Sequence, residues 1–195
     1  MSKLFLAQEP AADDLLATDP LALLIGMLLD QQQPLEKAFK GPYILAGRLG
    51  VQRLDAAAIA GHEPEAFAKI FATVPAIHRF PGSMAERTQK LCQAVADDYD
   101  GDAARIWTEP ADGKALFDRL AALPGYGKQK AQILVALLGK QFDVRPPGWR
   151  EAAGAYGEEG SSRSAADIVD AASLTKVREY KKQAKAALKA DRAAG

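Results

Sequence analysis

An all-α fold is predicted by three observations on this 195-residue chain. Apolar residues recur at helical spacing, caps and breakers stand at the ends of those stretches, and no run of alternating β-branched residues occurs. Composition agrees with a folded chain: 48% hydrophobic and 26% charged residues are close to the globular average.

Taken in order, the first strong element opens at Asp19-Pro20, an N-cap followed by proline at the first helical position. Leu21, Leu24, Ile25, Leu28 and Leu29 then form one apolar stripe. Glu36 to Lys40 predicts a short helix broken at Gly41-Pro42, and Asp55 is placed to cap Ala56 to Ala60. Ser83 and Glu86 fit a capping box, with Met84, Thr88, Leu91, Cys92 and Val95 on one face and a stop at the turn Tyr99 to Asp102. Leu116, Phe117, Leu120 and Leu123 make a further stripe ending at Pro124-Gly125; Ile133, Leu134, Leu137 and Leu138 line another that starts after Gly127. Residues 154–164 are rich in glycine and serine and are predicted to be a loop. Ser164 and Asp167 suggest a cap, and a basic helix is expected over about 173–192.

Several classes of protein are excluded or disfavoured at this level. The longest apolar run, Leu21 to Leu29, is nine residues, far below the ~20 that a membrane span needs. No secretory leader pattern precedes it, so a cytoplasmic location away from membranes is expected. The single cysteine, Cys92, excludes an internal disulfide and any four-cysteine iron–sulfur or zinc site. With two histidines beside it, neither a metal nor another cofactor is expected. Twenty-five basic residues balance twenty-five acidic ones, but unevenly. From Lys114 to Arg150 seven bases face two acids, and from Lys176 to Arg192 the ratio is again seven to two. Such asymmetry suggests a local anionic partner, or simply solvated helix faces.

The segment Leu123-Pro-Gly-Tyr-Gly-Lys-Gln-Lys-Ala131 carries the most chemistry. Two amphipathic helices flank a turn with glycines at 125 and 127. Glycine admits positive φ and lets backbone approach another molecule. The second helix begins there, so its unpaired N–H groups and positive dipole end suit a phosphate. Lys128 and Lys130 stand beside that end, and Tyr126 at the tip is open to two roles, insertion toward DNA or folding back onto its own helices. Phosphate contacts of this kind position DNA without reading its sequence.

This hairpin resembles the signature of the helix-hairpin-helix (HhH-GPD) DNA glycosylases of base excision repair. Ile25-Gly-Met-Leu-Leu-Asp-Gln31-Gln32 is similar to that family's early helix ending in paired glutamines, and 83–99 is placed like the helix before the hairpin. The resemblance implies one bilobal all-α domain over residues 1–195, with the helix-hairpin-helix at about 115–139 and no iron–sulfur cluster. It implies binding to double-stranded DNA containing a damaged base, which is flipped into a pocket for hydrolysis of its N-glycosidic bond, and the chain is expected to be a monomer. Gly125, Tyr126, Gly127, Lys128 and Lys130, with Gln31 and Gln32 near the gap left by the base, are the expected DNA-binding residues.

The match fails at the catalytic carboxylate. The family's aspartate falls near Pro146 to Gly148, where no acid stands; Asp143 comes early and Glu151 late, leaving these two as alternative candidates. Trp149 is a candidate to line the base pocket by stacking. Gln129 occupies the place of the lysine nucleophile of bifunctional members, and a one-residue offset turns a helical side chain by ~100°. The expected activity is therefore that of a monofunctional glycosylase without a lyase step. A catalytically inactive helix-hairpin-helix DNA-binding module is the alternative.

Overall fold

Buried carboxylates and prolines mark where the first helices begin. In the computed structural model, which describes residues 3–194, Asp13 lies in helix α1 (Pro10–Thr18). Its Oδ1 accepts the Leu6 and Ala7 amides at 2.8 Å each, tying the preceding segment to the helix. Burial nevertheless pushes the Asp13 carboxyl upward against those bonds. Asp19 caps helix α2 (Pro20–Leu29), accepting from Leu21 and Ala22, while its Oδ2 takes the Leu54 amide at 2.8 Å. Nine of the ten residues of α2 are buried, so it runs through the core instead of lying on the surface.

Helix α3 (Leu35–Leu49) passes straight through Gly41-Pro42, where a break was expected. Pro42 forfeits one helical hydrogen bond, but both residues are buried and a Cβ on Gly41 would meet Leu29 of α2 and Ile77. Close packing of α2 on α3, not a turn, is what calls for glycine there. Helix α4 (Ala56–Ala60) is capped by Asp55 as expected, through the Ala58 amide at 2.7 Å. Helix α5 (Pro64–Ala72) follows, and both α4 and α5 pack on α6 (Pro81–Asp98). Proline at the first position starts α6 two residues before Ser83, so Ser83 sits inside the first turn and caps nothing. Met84, Thr88, Leu91, Cys92 and Val95 do share its buried face. Cys92 is wholly enclosed, and burial drives its thiol above the usual range.

Short helix α7 (Arg105–Thr108) leads to the hairpin pair, α8 (Gly113–Ala121) and α9 (Lys128–Gln141). Helix α10 (Trp149–Ala153) packs against both. The stretch expected as loop begins with a 3₁₀ turn at Gly154–Gly157, and a second at Ala165–Asp167 carries the Ser164–Asp167 capping box. Helix α11 (Ala171–Ala194) starts two residues before Ser173. Asp170 accepts from the Ser173 amide at 2.7 Å while Ser173 Oγ accepts from the Asp170 amide at 2.9 Å, so Ser173 is the reciprocal partner within the first turn, not the cap. No strand is present among the described residues, and none of their helices is long and apolar enough to cross a membrane.

Candidate nucleic-acid interface

The hairpin turn is built by one glycine that needs its backbone and one that needs its openness. Gly125 has φ +82°, and a Cβ there would also strike Leu28 of α2. Gly127 is extended (φ −111°, ψ −179°), and nothing lies within 4 Å of a Cβ added to it. It precedes α9 without any side-chain cap, which leaves the first amides of a fourteen-residue helix facing outward. Gly125, Gly127 and Lys128 are all exposed.

Tyr126 and Lys130 anchor this turn to α2. Tyr126 is buried, and its hydroxyl donates to the Leu24 carbonyl at 2.7 Å, so the side chain folds inward and the insertion toward DNA expected as one alternative does not occur. Lys130 Nζ donates to the carbonyls of Met27, Leu28 and Asp30 at 2.6, 3.1 and 3.1 Å. All three of its hydrogens are thus committed to the C-terminal end of α2, where a cation is favourable. The expected phosphate contact by Lys130 is replaced by this capping role. Burial pushes its amine down to about 8, with the Asp30 carboxylate acting in the other direction.

Beyond α2 the chain turns sharply through Asp30 to Gln33. The Gln31 amide donates to the Leu29 carbonyl at 2.8 Å across Asp30 (φ −74°, ψ 70°), an inverse γ-turn. Gln31 directs its amide nitrogen to Met84 Sδ at 3.1 Å, whereas Gln32 is exposed with φ +53°. The segment before α6 clamps this turn from the other side. His78, fully buried, donates from Nε2 to the Gln31 carbonyl at 2.9 Å and accepts the Phe80 amide at Nδ1 at 3.0 Å, which defines its neutral tautomer. Burial lowers its pKa, in keeping with that form. Arg79 reaches the Gln32 carbonyl at 3.4 Å and stacks on the exposed Phe80 ring at 5.0 Å.

These pieces border a cleft of about 700 Å³ whose walls include Asp30, the three glutamines, both hairpin glycines, and Lys181 and Lys185 of α11. Helix α11 is seated by buried Leu174 and Val177, by an Arg178–Glu36 ion pair at 2.6 Å, and by Lys181 Nζ 3.9 Å from Asp30 Oδ2. Gln129, in the place of a lysine nucleophile, donates to the Tyr156 hydroxyl at 2.9 Å on the cleft's edge. Among the described residues the cleft therefore joins an uncapped helix N-terminus, two lysines from a separate helix, and one carboxylate.

The three remaining candidates lie elsewhere. Trp149 is buried against Gly139, whose missing side chain makes room for the indole, and Arg150 covers the ring at 4.6 Å. It is a packing residue, not the wall of a base pocket. Asp143 takes φ +59° in the turn after α9, its side chain is 84% exposed, and it pairs with Arg145 at 3.2 Å. Glu151 borders a separate shallow groove with Lys114 and Phe117. Neither acid lines the cleft. The sequence does not single out Asp30, gives His78 only as a loop residue able to touch phosphate, and offers Lys181 and Lys185 only as part of the basic C-terminal helix expected to help dock DNA. Only the position of Asp30 directly before the paired glutamines pointed to it. Comparison with protein-family models, with curated proteins and with solved structures finds no match.

Proposed function

We propose that this protein binds double-stranded DNA through the hairpin turn and hydrolyses the N-glycosidic bond of a damaged base extruded into the adjoining cleft. The observation that carries the reading is the uncapped start of α9, held outward by Gly127 and flanked by exposed Lys128, at the mouth of a cleft with lysines on its far wall. Backbone amides and lysines there offer phosphate contacts from two directions. Gln32, exposed beside the turn, has donor and acceptor groups for the base left without its partner. A volume of about 700 Å³ is within the ~300–1,000 Å³ common for small-ligand pockets, room enough for one extruded nucleotide. Because Gln129 faces Tyr156 and the Lys130 amine is held by three carbonyls, no Schiff-base step is expected.

A single-turnover assay tests this on duplexes carrying alkylated, deaminated or oxidised bases, each reaction split with and without hot alkali. Strand cleavage that requires alkali, on at least one lesion, is the expected result. Salt-sensitive duplex binding with no product on any lesion would favour the second reading, a binding module without catalysis. That reading draws on the placement of Asp143 and Glu151 outside the cleft.

A further inference from the structure

Among the described residues four aspartates have side chains largely removed from solvent, and three of them have work to do in the fold. Asp13 and Asp19 accept backbone amides from neighbouring segments. Asp167 accepts from Lys140, Ser161 and the amides of Arg163 and Ser164. Asp30 differs. Its side chain is only 14% exposed, yet among the described residues no hydrogen bond reaches its carboxylate, and its one ion-pair partner is Lys181 at 3.9 Å. Withdrawing a carboxylate from water without hydrogen bonds is costly, and a single long ion pair offsets little of that.

The backbone around Asp30 is held as tightly as its carboxylate is free. The inverse γ-turn sets the direction of its side chain, Lys130 holds its carbonyl at 3.1 Å, and His78 holds the next carbonyl at 2.9 Å. Among the described residues, Asp30 is also the one acid on the wall of the cleft. We infer that Asp30 is the catalytic carboxylate of this cleft, standing in for the acid absent from 146–148; the inference rests on the glycosylase reading above. In the step it serves, the C1′–N bond breaks and its electron pair leaves with the base nitrogen. A water oxygen forms the new bond to C1′, its proton passes to the Asp30 carboxylate, and that proton is then given up to the departing base. While positive charge builds on the sugar, the ionised carboxylate stabilises it. Lys181, its Nζ 3.9 Å from Asp30 Oδ2, is the positioning residue that keeps the carboxylate turned inward.

The test compares wild type with Asp30→Asn, an isosteric change that removes no hydrogen bond from the fold, and with Asp143→Asn and Glu151→Gln, on the lesion panel and in duplex binding. The expected result is base release by wild type and both outer variants, and a fall of ~100-fold or more for Asp30→Asn at duplex affinity within about twofold of wild type. Full turnover by Asp30→Asn would overturn the assignment and leave the glycosylase reading standing. Joint loss of binding and turnover would make Asp30 a docking residue and overturn it as well. Absence of base release from wild type on every lesion would overturn both readings together.

Discussion

The hairpin turn at 123–130 and the loop at 143–151 both flank α9, both contain Pro-Gly, and both are rich in candidate functional groups. They end up with opposite uses. At the hairpin, the two large side chains Tyr126 and Lys130 are spent on anchoring to α2, and the exposed surface that remains is glycine backbone and Lys128. After α9, Trp149 is consumed by packing on Gly139, and the acids left over face solvent or a different groove. At the hairpin, side chains hold the backbone in place and leave that backbone exposed. The later loop is instead fastened to α8 and α9, with Pro147 O accepting the Gly113 amide at 2.8 Å and Arg145 donating to the Gly139 carbonyl at 2.8 Å.

The sharpest way to break this contrast is Trp149→Ala. A packing role predicts a loss of ~3–5 kcal/mol in urea unfolding with duplex affinity unchanged for the molecules that remain folded. A base-stacking role predicts the reverse, a stable protein with weakened lesion binding. Tyr126→Phe comes next. Removing the hydroxyl bond to Leu24 is expected to cost about 1 kcal/mol of stability and nothing in DNA binding.

The two hairpin lysines divide in the same way. Lys128→Ala is expected to lower the slope of log affinity against log salt by about 0.9, as loss of one phosphate contact does, and Lys130→Met to leave it unchanged. Lys130 should declare itself in stability instead. Its folded amine titrates at about 8, below the ~10.4 of an unfolded lysine, so between those values the unfolded chain binds more protons. Stability should therefore rise with pH across that window in wild type, and unfolding of Lys130→Met should lack the rise. The smallest effect is expected for Asp143→Asn: its exposed ion pair with Arg145 predicts a change within about 0.5 kcal/mol. A larger loss in chemical denaturation would show that Asp143 has a structural duty beyond that pair.

Most of the helical architecture was legible because it follows from local chemistry. Asp19, Asp55 and Ser164 cap as their neighbours predict, and the hairpin stripes lie where the apolar spacing puts them. Two local readings failed for opposite reasons. Gly41-Pro42 is a breaker by propensity, but α2 requires the bare backbone and its packing carries the helix through. Ser83 fits a capping box by spacing, but Pro81 sets the helix start earlier. At the site, the turn and its glycines were visible and the carboxylate was not. Nothing near Asp30 in the chain reveals that Lys130 and Lys181 converge on it, and His78 on the carbonyl of Gln31 beside it, from segments up to 151 residues away.

By itself, then, the sequence determined most of the helices and the glycine turn between α8 and α9. Each depends on residues within a turn or two of one another, where backbone preference and charge act locally. Tertiary structure alone decided which side chains are spent on packing and which face the cleft. Tyr126, Lys130 and Trp149 are ambivalent side chains, equally able to bind a ligand or fill a gap. Their choice was made by a carbonyl of α2, the end of that helix and the absent side chain of Gly139, because a buried polar group must find a partner and a buried ring must find space.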